Sequence, residues 1–508
     1  MSAGTRTPED RAGRRVLSAA LFASAPAEVL DFLLPLWAGS VLGAGASAVG
    51  ALIAFEAVLS LIVRPLAGEL ADRFDQRRVA AAGAGLYALS FAGYALAGSL
   101  VGAFVAAGLG GAGGALFWVG LRAWTGQRSQ GGGGDGTAAY GRLLSAEGQG
   151  AFVGYLVAFS LLERGGYPLL FWLGCAACAV AAASLLRGPR RERDAGAPRV
   201  VAGLREGRGA AERRLLPLMA VSAVTAAAEA GLWMLLLLRL QSHLELSPDE
   251  IALVFAPGFV VFVLLPAHAH RLTGRLGRTP AMVASFAASA LFAAGLSVVS
   301  TPPAVAVLWT VAAACFAVQV PVEQAAVAAA SGGRTGRAMG LYESARLAGV
   351  VIGPLVMGVL YEEAGWAAAC GAAAVTSAVG ALVVPYAVRA LGLPERRTDG
   401  EGEGDTGERE AARPRAVPES ALGPKARARK ERRDWYVHTA VFALGQAVLW
   451  VLDSSWLVWQ ITDGGVPDDQ RGPLVWAGRI WLTIWVIDTV WSWSYTLRPR
   501  EKKPKPSA

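Results

Sequence analysis

The sequence predicts an all-α membrane protein of twelve transmembrane helices in two six-helix halves, followed by two further membrane helices. Three observations carry this. The 508 residues are 54% hydrophobic and only 17% charged, which excludes an ordinary soluble domain. Mean hydropathy is +0.42, although polar stretches near 188–213 and 392–433 dilute it. Apolar stretches of the roughly 20 residues needed to cross a bilayer recur along the chain. One stretch also occurs twice, about 200 residues apart, the mark of a membrane transporter built from two copies of a helical unit.

The duplicated stretch aligns without gaps. Gly141-Arg-Leu-Leu-Ser-Ala-Glu147-Gly-Gln-Gly150-Ala-Phe-Val-Gly154 lies on Gly340-Leu-Tyr-Glu-Ser-Ala-Arg346-Leu-Ala-Gly349-Val-Val-Ile-Gly353. The register continues from Leu161–Tyr167 onto Leu360–Trp366. A second pair, Leu70–Arg77 and Leu272–Thr279, sits at nearly the same offset.

The predicted helices fall near 16–41, 46–67, 79–98, 101–123, 143–162, 167–187, 215–240, 250–269, 280–299, 303–330, 338–360 and 366–390, with two more near 436–461 and 474–497. The first follows Arg11, Arg14 and Arg15 as a signal peptide would. It is too long for a cleaved apolar region and contains Glu28 and Asp31, so it is read as a retained membrane helix. The resulting units are an N-terminal bundle (1–187), a basic linker (188–214), a C-terminal bundle (215–391), a disordered linker (392–434), an accessory hairpin (435–497) and a basic tail (498–508). The 392–434 linker is rich in Pro, Gly, Glu and Arg and has no apolar face to bury.

Arginines cluster in alternate loops, from Arg73, Arg77 and Arg78 through 187–214 to Arg271, Arg275, Arg278, Arg334 and Arg337. Opposite loops carry acids such as Glu245, Asp249, Glu362 and Glu363. The positive-inside rule then places both termini in the cytoplasm. The Ala-, Gly- and Arg-rich composition resembles that of a GC-rich bacterium, so the expected location is a bacterial plasma (inner) membrane. The same rule accounts for the net charge of +8 without nucleic acid.

Gly68-Glu-Leu-Ala-Asp72-Arg73-Phe-Asp75-Gln-Arg77-Arg78 resembles the cytoplasmic loop signature of the major facilitator superfamily, Gly-x-Leu-x-Asp-Arg-x-Gly-Arg-Lys/Arg. The resemblance, with the 6+6 layout, covers roughly residues 15–390. It implies a loop that packs against the start of the eleventh helix, near Arg337–Gly340, and stabilises an outward-facing state. Gly68 would permit close approach, Asp72 would favour the positive end of the facing helix, and Arg73, Arg77 and Arg78 would hold the cytoplasmic surface. Asp75 stands where the signature has glycine, and Asp tolerates a left-handed turn. The second copy keeps Gly277 with Arg275 but has Gly274 in place of the aspartate. The fifth helix lacks the Gly-Pro motif of drug antiporters, having Gly150, Gly154 and Tyr155. The fourth lacks their mid-membrane arginine, since Arg122 lies near its cytoplasmic end. Gly349, Gly353, Pro354 and Gly358 form a small-residue stripe with a proline kink, suited to helix packing.

Charges inside membrane helices are costly unless paired or hydrated and are functional candidates by default. Glu28 and Asp31, three apart on one side of the first helix, lead as proton or cation-substrate sites; Glu229 and Glu323 come next, then Glu56. The alternative is that some of them pair with Arg64 or Arg346. Glu147 and Arg346 occupy equivalent positions with opposite charge. They are expected either as a gate pair or as a zwitterion clamp across the cavity, unless Glu343 pairs locally with Arg346, which the spacing of three favours.

Nine of the 16 tryptophans lie in 435–497. Trp435, Trp459 and Trp476 suit the membrane interface, and deeper ones suit packing against the bundle or a helix–helix partner. Cys175, Cys178, Cys315 and Cys370 sit in apolar stretches and read as buried hydrophobes. No Ser/His/Asp, metal or phosphate constellation is present, and the glycines 131–134 lack the Gly-Lys-Ser/Thr ending of a phosphate loop. The chain is therefore expected to be no enzyme, with no metal and no cofactor, but a secondary transporter of small molecules in the lipid bilayer. Proton-coupled efflux of an amphipathic or cationic compound is preferred; proton-coupled nutrient uptake and a non-transporting sensor or scaffold remain as alternatives.

Overall fold

The computed structural model describes residues 8–131, 135–187, 205–246 and 248–392, parts of 431–462, and 473–497. Most of the predicted basic linker, nearly all of the predicted disordered linker, glycines 132–134 and the tail 498–508 lie outside the described residues. The chain divides into two units, Met1–Arg397 and Thr398–Ala508.

No strand occurs among the described residues. Backbone groups in hydrocarbon must be satisfied within their own segment, and alanine, the best helix former, is abundant. The first unit contains α1 (Pro8–Ser40), α2 (Ala46–Arg73), α3 (Gln76–Leu96), α4 (Leu100–Gly131), α5 (Gly136–Leu186) and α6 (Arg205–Ser242). After these come α7 (Pro248–Leu264), α8 (Ala269–Leu276), α9 (Arg278–Val298), α10 (Pro302–Ala329) and α11 (Thr335–Ala390). Ten helices among the described residues are long and apolar enough to cross a membrane. α5 and α11 each carry two of the predicted segments and are broken at Gly166 (φ +63°) and Gly365 (φ +82°). These glycines are equivalent in the repeat, and the left-handed backbone there is one that glycine adopts without steric cost.

Two expectations are corrected locally. The eighth predicted helix does not run through residue 269: α7 stops at Leu264, and a 3-10 turn at Pro266–His268 precedes α8. Pro266 has no N–H to continue the ladder. Asp75 does not adopt a left-handed turn. It is extended (φ −65°) and caps α3, its side chain accepting from Arg77 N at 2.9 Å. Gly277, in the second copy, is the left-handed one (φ +94°).

The two halves repeat each other in packing. α1 lies along α5 and α6 along α11; α4 meets α2 and α3 as α10 meets α7 and α9. The closest approaches occur at paired glycines. A Cβ on Gly150 or Gly154 would collide with the carbonyls of Leu21 or Ala25 on α1, and one on Gly349 or Gly353 with those of Ala223 or Ala227 on α6. Small residues let backbones touch where lipid supplies no hydrophobic drive between helices. Gly358 is looser: a Cβ there would stand 4.0 Å from Met234 Cε. The N-terminal half centres on Trp37, Tyr94 and Phe171, with Trp37 edge-on to both other rings at 5.6 and 5.4 Å.

In the second unit, helical residues within 435–450 precede α12 (Trp456–Thr462) and α13 (Pro473–Leu497). His438 Nδ1 lies 2.7 Å from Asp488 Oδ2, and Trp435 Nε1 donates to Thr489 Oγ1 at 2.8 Å. Phe442 stacks on Trp485 at 5.0 Å. Trp459 is half-buried, and the side chain of Trp476 lies outside the described residues.

Gly154→Val and Gly353→Val are each expected to destabilise the bundle by about 1–3 kcal/mol, the cost of overpacking. Gly85→Ala, on a part of α3 where a Cβ meets nothing within 4 Å, serves as the control and should melt no lower than wild type. Thermal melting of the purified proteins, followed by size-exclusion chromatography, checks this.

Candidate functional site

The halves meet at the end of the bundle that carries Arg73, Arg77, Arg78 and Arg337. α11 begins at Thr335, and its own N-cap residue, Arg334, supplies no side-chain cap. Asp72 of α2 supplies one from the other half: Oδ1 accepts from Gly336 N at 2.7 Å and Oδ2 from Arg337 N at 3.0 Å. Glu69, one turn earlier, pairs with Arg337 at 2.8 Å and with Arg73 at 3.4 Å. The seam is possible because three glycines line it. A Cβ on Gly68 would stand 2.5 Å from Gly336 O, and one on Gly340 2.5 Å from Arg64 O. A carboxylate at a helix N-terminus completes orphan N–H groups and meets the positive end of the dipole.

The counterpart seam uses equivalent residues without the charge. Gly141 meets Pro266 O as Gly340 meets Arg64 O, and Ser145 donates to Val263 O as Ser344 donates to Leu61 O. A Cβ on Gly274, the counterpart of Asp72, would meet nothing within 4 Å. The α5 N-terminus is capped locally, Asp135 accepting from Thr137 N at 2.9 Å. Arg77 pairs with Asp75 at 3.4 Å, while Arg78 and Arg275 are exposed.

Deeper along the seam, Glu343 of α11 reaches into the opposite half. Its carboxylate lies 3.3 Å from Arg64 Nη1 and 3.2 Å from Arg122 Nε, and its carbonyl accepts from Arg64 Nη1 at 2.8 Å. Arg122 also pairs with Glu147 at 3.1 Å. In the other half Arg346 lies 3.5 Å from Glu323, whose fully buried carboxylate accepts from Tyr342 (2.7 Å), Ser222 (2.9 Å) and Gln319 (2.9 Å). The expected local pair of Glu343 with Arg346 is thus not formed, and Glu147 does not face Arg346 as a gate. Each is taken by a partner on another helix, which spacing along one helix does not reveal. The two halves carry the same pair with charges exchanged: Arg122 of α4 with Glu147 of α5, and Glu323 of α10 with Arg346 of α11. Sequence reading did not single out Arg122 as a functional residue. The opposite charges noted at 147 and 346 were the available signal, since each demands a counter-ion.

The other acids are placed differently. Glu28 and Asp31 are exposed on α1, and neither is in an ion pair among the described residues. Tyr155 of α5 donates to the Glu28 carbonyl at 3.0 Å. Glu56 of α2 accepts from Tyr94 at 3.5 Å and packs on Gly110 of α4. Glu229 of α6 lines a cavity with Arg346 and Pro354, and its Oε1 is buried without a hydrogen-bond partner. No group of three or more His, Cys, Asp or Glu residues suited to a metal occurs among the described residues.

Asp72→Ala removes two hydrogen bonds to a charged acceptor, each about 1.5–3 kcal/mol. It should therefore shift the population away from this closed seam. Double electron–electron resonance between spin labels at positions 78 and 333 should report a longer, broader distance distribution than in the parent; an unchanged distribution would show that the cap does not hold the seam.

Known proteins place this architecture. No match was found among curated protein sequences. By fold, the chain is similar to the human organic anion transporter TETRAN (18% identity, TM-score 0.61, covering 75% of this chain and 100% of that one). It is similar also to a bacterial homologue of the iron transporter ferroportin in an outward-facing state (12%, 0.60, 74% and 99%). The Escherichia coli fucose:proton symporter is a third such structure (16%, 0.59, 73% and 97%). The family model of the Major Facilitator Superfamily matches residues 16–217 and 218–486. With both halves covered and the repeat visible in sequence and packing alike, the chain belongs to the Major Facilitator Superfamily and is a membrane transporter, not an enzyme.

Proposed function

We propose that the protein is a proton-coupled secondary transporter that exports an amphipathic or cationic small molecule from a bacterial cytoplasm by alternating access. The observation that carries the reading is the surplus of acid in the bundle. Arg64, Arg122 and Arg346 are each matched by Glu343, Glu147 or Glu323, which leaves Glu28, Asp31, Glu56 and Glu229 without an ion pair among the described residues. A carboxylate in this setting is held at several kcal/mol of cost unless it binds a proton or a cation, so this surplus supports both coupling and a cationic cargo. Glu28 and Asp31, accessible on α1, are the proton sites. With the positive-inside orientation both termini are cytoplasmic, and the Asp72–α11 cap and the Glu343 bridge become the cytoplasmic closure of an outward-facing state. Gly68, Asp72, Glu69 and Arg337 act there as a latch that must part for inward opening. The glycine stripes on α5 and α11, with Pro354, let α1 and α6 slide against them.

Purified protein in proteoliposomes, screened with cationic dyes, antibiotics, sugars and amino acids, is expected to show a compound-dependent proton flux that Asp31→Asn abolishes. Flux driven only by a sugar or amino acid would favour proton-coupled uptake. Flux unaffected by Asp31→Asn and Glu28→Gln would remove the α1 acids from the mechanism.

A further inference from the structure

The C-terminal half holds a partly open cavity of about 450 Å³ whose lining does not resemble that of a packing defect. Cavities of a few hundred Å³, apolar but with a few convergent polar groups, are where small molecules bind. Trp233, Trp309 and Phe292 form one wall, with ring centroids 4.8 Å apart for the tryptophans and 6.2 Å for Trp309 and Phe292. Trp309 is fixed by a hydrogen bond from Nε1 to Phe255 O at 3.1 Å, and Trp233 by its contact with the Phe255 ring at 4.5 Å. The wall is therefore pre-organised.

The polar side of the cavity sets the charge it accepts. Glu229 and Arg346 line it, and Arg346 is engaged by Glu323 behind it. With all three groups ionised, Glu229, Glu323 and Arg346 sum to one negative charge in excess. Glu229 Oε1 is buried and accepts no hydrogen bond, an arrangement that is costly when left as it is. A neutral guest leaves the excess charge in place and an anion doubles it. A cation with an apolar body neutralises it and presents its charge to aromatic rings, which attract cations through their quadrupoles.

We propose that this cavity is a binding site for a lipophilic organic monocation, with Glu229 as its counter-ion and Trp233, Trp309 and Phe292 as its aromatic wall. The site deepens the transport reading by separating the cargo from the proton: cargo on α6, α9 and α10, proton on α1. It rests on that reading only for calling the ligand a substrate.

The test uses the full chain in detergent and two probes of one shape and opposite charge, radiolabelled tetraphenylphosphonium and tetraphenylborate, in equilibrium dialysis. Tetraphenylphosphonium should bind saturably, one per chain, and tetraphenylborate should not. Glu229→Gln should weaken the cation tenfold or more, Trp309→Ala several-fold, and Glu229→Asp, which keeps the charge, less than Glu229→Gln. Each variant is admitted only with a wild-type melting profile; if Glu229→Gln fails this, the Asp variant and the choice between the two probes decide. Binding unchanged in Glu229→Gln, or lost only in Asp31→Asn, overturns the site. Proteoliposome flux separates the two ideas. Cation flux that persists in Glu229→Gln defeats the site and leaves transport standing. Glu229-dependent binding with no flux of any compound defeats transport and leaves the site standing.

Discussion

The arrangement of the two halves depends on one carboxylate. Glu343 belongs to α11, yet its counter-ions, Arg64 and Arg122, belong to the opposite half. A guanidinium in a largely apolar bundle cannot be left alone: removing one partner of a buried ion pair costs about 3–5 kcal/mol. Parting the seam therefore means re-solvating or re-pairing two arginines at once. The Asp72 cap adds to this at the rim, where it completes a helix that has no cap of its own. Separating α2 from α11 exposes the N–H groups of Gly336 and Arg337 together with the carboxylate. Both interactions act across the same seam, so under the proposed alternating access they would have to yield together.

Pseudo-symmetry explains the rest of the charge distribution and also where it breaks. Equivalent positions hold Arg122–Glu147 in one half and Glu323–Arg346 in the other, so each half is internally balanced with the sign of each member reversed. Glu343 has no acidic counterpart, because Leu144 stands at its equivalent place. Asp72 has none either, because Gly274 stands at its own. The seam between α2 and α11 is thus the charged one, while the seam between α5 and α7 relies on glycine and serine contacts with backbone carbonyls. The two equivalent seams thus differ in chemistry, one ionic and one built on small residues, an asymmetry that identical copies would lack.

The repeat was legible because close helix packing leaves a mark on residue size. Gly141, Gly150 and Gly154 recur as Gly340, Gly349 and Gly353, and every one of them touches a backbone carbonyl on its neighbour. The breaks at Gly166 and Gly365 were legible for a different reason: both have positive φ, a backbone that favours glycine, and they recur at equivalent places in the repeat. Partnerships between helices were not. The spacing of Glu343 and Arg346 favoured a local pair, because sequence shows which residues share a helix face but not which other helix that face meets. Asp75 was assigned a turn by analogy with glycine, when its side chain had a simpler use as a cap. The close of α7 before Pro266 was missed because the apolar run continues through it.

The acids outside these pairs show how such a bundle can be both stable and responsive. Glu323 is buried with no exposed surface, but it is saturated: three hydrogen-bond donors and Arg346 surround it, and such fully satisfied networks rigidify a core. Glu229 shares the same arginine at a distance and lacks a hydrogen bond to one oxygen. The two carboxylates therefore compete for a single guanidinium, and the loser faces the cavity. Anything that neutralises Glu229 leaves Arg346 wholly to Glu323. Drawing Arg346 toward Glu229 leaves Glu323 to its three hydrogen-bond donors, among them Tyr342, the neighbour of Glu343 on α11. Tyr342 and Glu343, adjacent on α11, thus set the acid network of the cavity beside the contact that holds the halves together.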